Sequence, residues 1–178
     1  MATAEAEKSN TAPAGRSGRG QRMQRLLTTK AAFAAMLWAK LPLAAFAGMR
    51  VERLDEERCD VSLPSGWKTQ NPFKSMYFAA QAMAAEASTG VPALWFIEES
   101  GAPVASLVTG LSAQFTKRGT SKATFRFDGG AAMRAAIEQA AAGSEPVVHV
   151  ARSIGTQAGG EVIAQFEITW SFKRRGQR

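Results

Sequence analysis

The stretch NPFKSMYFAAQAMAAEASTG, Asn71 to Gly90, decides how this chain is read. From Met76 to Gly90 its one charged residue is Glu86. The alanine-rich run suits a helix. Ser75 suits its N-cap and Gly90 its C-terminal stop. No side of this helix is polar, so neighbouring elements must enclose it. At 3.6 residues per turn, Glu86 falls within about 20° of Ser75 and Ala79 and about 40° of Ala82. Its neighbours are small and leave room beside it. A buried carboxylate is costly unless it is paired, protonated or open to a cavity. The plainer alternative is a glutamate at a frayed helix end that reaches water.

Outward from this helix the chain divides by pattern. Residues 1–21 are rich in Ala, Gly, Ser, Thr and charge, without apolar periodicity, and read as a disordered basic tail. Residues 22–175 read as one domain and 176–178 as a short basic tail. Lys30 to Met49 has two readings. The basic residues, the apolar run and Ala45-Phe46-Ala47 resemble a signal peptide. Lys40 and Pro42 interrupt the run, and this favours a helix from about Arg22 to Ala39 that ends near Pro42. The same breaks argue against a transmembrane segment.

Met49 to Pro64 reads as two short strands around an acidic turn, with Cys59, Val61 and Leu63 on one face. After Gly90 strands dominate. Ala93 to Ile97 is a short apolar run read as a strand. Leu107, Thr109, Leu111, Ala113 and Phe115 alternate with Val108, Gly110, Ser112 and Gln114. Ala123, Phe125 and Phe127 alternate with Lys122, Thr124 and Arg126. Asp128 is placed to cap a helix reaching Ala142, which Gly143 ends. Val147 to Thr156 is a further strand. Val162, Ala164, Phe166, Ile168, Trp170 and Phe172 share one face of the last. Helices segregated from runs of strands define an α+β fold: a curved antiparallel sheet wrapped around a central apolar helix, with an N-terminal helix and a helical insertion between strands.

Composition removes several function classes. The chain has 178 residues, one cysteine and one histidine. That excludes a disulfide framework and a Cys/His zinc cluster, and no metal site is expected. It fits a cytoplasmic setting. The single histidine, His149, leaves few routes to a Ser-His-Asp triad, so a catalytic base would be a carboxylate. The net charge of +7 invites a nucleic-acid reading. However, residues 1–30 carry +4, residues 173–178 carry +4, and the body between them carries −1. The basicity lies in the tails, and no specific nucleic-acid binding is expected. Gly129-Gly130 lacks the rest of a phosphate-loop pattern and reads as a turn. Trp38, Trp67, Trp95 and Trp170 read as core residues, and Cys59 as a buried thiol.

The stretch Asn71–Gly90 resembles the central helix of hotdog-fold thioesterases. Together with AKLPLAAFAGMRV before it and SLVTGLSAQFTKRGT after it, it is closest to the hotdog branch known as domain-of-unknown-function family 4442. The resemblance covers roughly residues 30–173. The phenylacetate-pathway type carries Asn-x-x-Gly-x-x-His-Gly-Gly and then an acidic residue seven positions after the last Gly. Asn71 and Glu86 fall on the Asn and the acidic position without a gap. Lys74 stands where that type has its first Gly, Tyr77 where it has His, and Phe78 and Ala79 replace the Gly pair.

The resemblance implies a hotdog fold and a subunit pair, as a homodimer or a dimer of dimers, joined edge to edge through the sheets. It implies hydrolysis of an acyl-CoA or related acyl thioester, with coenzyme A as part of the substrate and no separate cofactor. Glu86 of one subunit would be the base or nucleophile. N–H groups near Tyr77 and Phe78 of the other would hold the oxyanion. Asn71 and Ser75 would position the carbonyl or the water. The acyl chain would lie among small residues and strand side chains such as Phe115. Lys117, Arg118 and Lys122 would meet the coenzyme A phosphates, though a solvated turn explains them equally well. The departures at Lys74, Tyr77, Phe78 and Ala79 keep open two other readings. One is a protein of this fold that binds acyl groups or acyl-CoA without turnover. The other is a structural protein whose carboxylate satisfies a buried partner, such as Lys74.

Overall fold

A computed structural model of the chain describes residues 18–176. The disordered tail expected over residues 1–21 lies mostly outside these residues, and residues 18–21 open a helix. Helices α1 (Gly18–Thr28), α2 (Lys30–Lys40) and α3 (Pro42–Ala47) precede strands β1 (Arg50–Leu54) and β2 (Cys59–Leu63). The central helix α4 (Phe78–Ser100) leads into β3 (Val104–Phe115) and β4 (Ala123–Phe127). Helix α5 (Gly130–Ala142) then precedes β5 (Val147–Gln157) and β6 (Val162–Arg174). The strands form one six-stranded sheet in the order β1-β2-β4-β5-β6-β3, and every neighbouring pair is antiparallel. Its concave face wraps α4. The α+β hotdog architecture expected from the sequence is therefore the one observed.

The expected N-terminal helix is divided. Thr29, extended at φ −83° and ψ 111°, ends one helix and starts the next. Leu41 leaves helical geometry because it precedes a proline, and Pro42 then occupies the first position of α3, where its missing N–H costs nothing. Gly48, left-handed at φ 79°, closes α3 by donating to Ala45, while Met49 donates to Ala44. This turn hands the chain to β1.

The central helix is longer and later than its sequence suggests. Its N-cap is Tyr77, not Ser75, and it runs through Gly90 and Pro92 to Ser100. Ala93 to Ile97 is thus helix, not strand. A proline inside a helix costs about 3 kcal/mol. Burial offsets this. Trp95 and Phe96 behind it are essentially fully buried, and such burial is worth roughly 2 kcal/mol each. Glu86 therefore lies near the middle of the helix, not in a frayed last turn.

Two smaller corrections follow. Asp128 does not cap α5; the N-cap is Gly129, and Asp128 lies 3.7 Å from Arg58. In β3 the pairing with β6 shifts between Val108 and Gly110. This bulge at Thr109 reverses the alternation. Val108 pairs with Trp170 and Leu111 with Ile168, both on the helix-facing row, whereas Leu107 pairs with Ser171 on the outer face and is 65% exposed. Sequence alternation alone put Leu107 and Leu111 together. In β6 the expected face is correct: Ala164, Phe166, Ile168, Trp170 and Phe172 are buried.

Candidate active site on the central helix

The helix entrance is built by a short turn. The Asn71 side-chain oxygen accepts from the N–H of Phe73 at 3.0 Å and from the N–H and hydroxyl of Ser75 at 3.2 Å. Asn71 N–H donates to the Ser75 carbonyl at 2.8 Å. Asn71 and Ser75 are thus brought together, and they hold the turn as well as each other. Lys74, in the same turn, adopts φ 58°, the left-handed conformation that costs an L-residue about 1–2 kcal/mol. This is the position at which the thioesterase pattern has glycine, so the backbone shape survives without the glycine.

Tyr77 N–H donates to the Thr69 carbonyl at 2.7 Å and is committed to the turn. No side chain caps the helix. Phe78 is the first helical residue, and the partial positive charge of the helix start lies at its N–H. The rings of Tyr77 and Phe78 pack edge to face, and both are exposed. Phe78 also meets Phe115 of β3, with ring centroids 6.4 Å apart.

Glu86 lies eight residues further on, about 12 Å along the helix axis. Its carboxylate opens on a cavity of 150 Å³ whose other walls include Phe33, Met36, Leu37, Met49 and Trp170. Among the described residues the carboxylate has no hydrogen-bond or ion-pair partner, and burial raises its pKa above the ordinary value. Gly90, one turn on, makes room for it: a Cβ there would stand 2.9 Å from Glu86 Oε1. Trp170 Nε1 donates to the Thr89 hydroxyl at 3.0 Å, and Thr89 donates to the Glu86 carbonyl at 2.9 Å. This chain ties the helix around Glu86 to β6.

The basic candidates do not converge. Lys117 pairs with Glu161 at 3.7 Å and Lys122 with Glu52 at 2.7 Å, while Arg118 donates to the Phe73 carbonyl. Arg118 alone of the three touches the helix-entrance turn. Phe115 lies at the Phe78 end and does not line the Glu86 cavity. His149 is half-buried on β5, and burial pushes its pKa down; it is not among the cavity's lining residues. Cys59 is fully buried, and burial holds its thiol strongly protonated.

Sequence reading missed Gly90, Trp170 and the α2 wall as parts of this site. Phe33, Met36 and Leu37 recur at helical spacing and were legible as an apolar stripe. Which surface they would cover was not.

A curved antiparallel sheet wrapped around a largely apolar helix defines the hotdog fold. The chain belongs to the family described as Domain of unknown function (DUF4442), whose model matches residues 29–172. No curated protein matches it. Among solved structures it is similar to PA5026 of Pseudomonas aeruginosa, a protein of unknown function described as a "Probable Thioesterase", at 18% identity and a TM-score of 0.66 over 80% of this chain and 95% of that one. It is similar to thioesterase HI1161 of Haemophilus influenzae at 12% identity and a TM-score of 0.60, over 82% and 91%. A protein of unknown function from Chlorobaculum tepidum, OLEI01261, gives a TM-score of 0.71 at 10% identity, over 88% and 97%. At these identities the likeness carries the fold. Among the described residues no helix is long and apolar enough to cross a membrane.

Proposed function

We propose that this protein hydrolyses an acyl thioester, of coenzyme A or a related carrier, with Glu86 as the base. The observation that carries the reading is the unpaired Glu86 carboxylate in a largely apolar cavity. A group so placed binds protons more tightly than in water, which suits it to act as a base. In this reading Glu86 removes a proton from water as the oxygen attacks the thioester carbonyl. The carbonyl oxygen takes up the negative charge. Collapse breaks the C–S bond, and Glu86 returns the proton to the departing thiolate, leaving a carboxylic acid and a free thiol. Direct attack by Glu86, followed by hydrolysis of the anhydride, uses the same geometry.

The oxyanion must be held elsewhere than on the same helix, because Phe78 N–H lies about 12 Å from Glu86 along the axis. A second copy supplies it in this reading. Strand β3 is an unpaired edge of 12 residues, VASLVTGLSAQF, without a single charge. Such an edge is a template for pairing. Beside it Phe78, Leu111 and Phe115 are about half exposed. Pairing two β3 edges would cover them and bring the Phe78 N–H of the partner subunit toward Glu86.

A second reading, acyl binding without turnover, draws on Tyr77 and Phe78. The Tyr77 N–H is already engaged, and Phe78 carries a bulky ring where the thioesterase pattern has glycine. Free-thiol release from acyl-CoAs by the wild type and Glu86→Gln separates the two. Turnover that falls by about 100-fold or more in the variant fits a lost base. No turnover by the wild type on any acyl-CoA would leave the binding reading.

A further inference from the structure

The cavity at Glu86 holds 150 Å³, too little for a substrate against the roughly 300–1,000 Å³ usual for small-molecule sites. A second cavity, of 380 Å³, lies between α2, α3 and β1. Both are lined by Leu27, Phe33, Leu37 and Met49. One layer of side chains therefore separates them. The larger cavity is otherwise walled mainly by Ala31, Ala34, Trp38, Ala45 and Val51, with Lys30 and Arg50 at its rim.

We propose that the helices ahead of β1 form the acyl-chain pocket, and that the chain is a linear alkyl group. Its thioester end lies at Glu86, and its tail passes the Phe33, Leu37 and Met49 layer into the larger cavity. This rests on the hydrolytic reading above and names the acyl class for it. Three features favour a slim alkyl chain over a ring. The partition is a single layer of side chains. Met49, unbranched and flexible, can swing within it. Beyond it the walls are aliphatic, with Trp38 at one side. Each methylene buried there should strengthen binding about fourfold.

Ala34 is exposed on α2 and lines the larger cavity, so Ala34→Trp fills that space without disturbing the core. The test measures thiol release from acyl-CoAs from butanoyl to hexadecanoyl, with benzoyl-CoA as the ring control, and binding of the non-hydrolysable thioether S-dodecyl-CoA by calorimetry. The expected result is a wild-type kcat/KM at least 10-fold higher for dodecanoyl-CoA than for butanoyl-CoA or benzoyl-CoA. Ala34→Trp should cut the dodecanoyl-to-butanoyl ratio at least 10-fold. Turnover with a flat profile, a benzoyl preference, or a ratio unmoved by Ala34→Trp would overturn the pocket while leaving hydrolysis standing. If no acyl-CoA is turned over, hydrolysis fails and calorimetry decides. S-dodecyl-CoA binding weakened 10-fold by Ala34→Trp supports the pocket; absent or unchanged binding overturns it.

Discussion

The carboxylate of Glu86 lies over Gly90, one turn further along the central helix, where a Cβ would meet Oε1 at 2.9 Å and the Trp170 ring at 3.4 Å. Glycine inside a helix normally costs about 0.5–1 kcal/mol relative to alanine, so its presence here calls for a local reason. Seating the carboxylate is that reason. Gly90→Ala should leave the melting temperature unchanged or slightly raised, because the Glu86 side chain can yield, while thiol release falls about 10-fold or more. A drop in melting temperature with unchanged specific activity would contradict the seating role.

Glu86 also sets an expected pH dependence. Its folded pKa is raised by burial, so the native state binds its proton more tightly than the unfolded chain does. The stability this contributes is fully present below the unfolded value and is lost as pH rises through the folded value. Glu86→Gln should therefore gain stability over the wild type as pH rises above the ordinary glutamate value of about 4.3. The same ionisation should give kcat/KM an acidic limb with its midpoint above the ordinary glutamate value of about 4.3. Denaturant titrations of both proteins and a pH–rate profile check the two halves separately.

Lys74 holds a left-handed conformation at φ 58°. Lys74→Gly should relieve strain at the helix entrance and stabilise the fold by about 1 kcal/mol, net of the extra freedom of an unfolded glycine. Calorimetry should show a rise of roughly 2–4 °C. A fall would mean that the lysine side chain makes a stabilising contact.

Leu111 on β3 is half exposed on the helix-facing row, beside the uncharged edge. The wild type is expected to sediment as a dimer or a dimer of dimers. Leu111→Asp should shift it to monomer and lower thiol release about 100-fold, since each site would lose its oxyanion donor. A fully active wild-type monomer would rule out a shared site.

Gly130 opens α5 against the β1–β2 turn. A Cβ there would fall 1.8 Å from the Glu56 carbonyl oxygen. That atom is backbone and cannot rotate away, so Gly130→Ala should cost about 3 kcal/mol. Denaturant unfolding reads this directly.

The sequence alone carried most of the sheet-and-helix division, Ala93–Ile97 excepted. The period-two rows of β2, β4 and β6 are written in local side-chain alternation. So are the enclosure of an all-apolar helix and the position of one carboxylate on its alanine face. The turn at Asn71–Ser75 ahead of the helix was not among these, since Ser75 reads locally as the helix cap. What only the tertiary structure decided depends on contacts far apart in the chain. The helix passes Gly90 and Pro92 because burying Trp95 and Phe96 outweighs local breakers. A bulge at Thr109 sends Leu107 to the opposite face from Leu111, which no alternation rule reveals. The surroundings of Glu86 come from α2, β6 and a glycine one turn away. A sequence places such residues on a face, but only packing decides what that face meets.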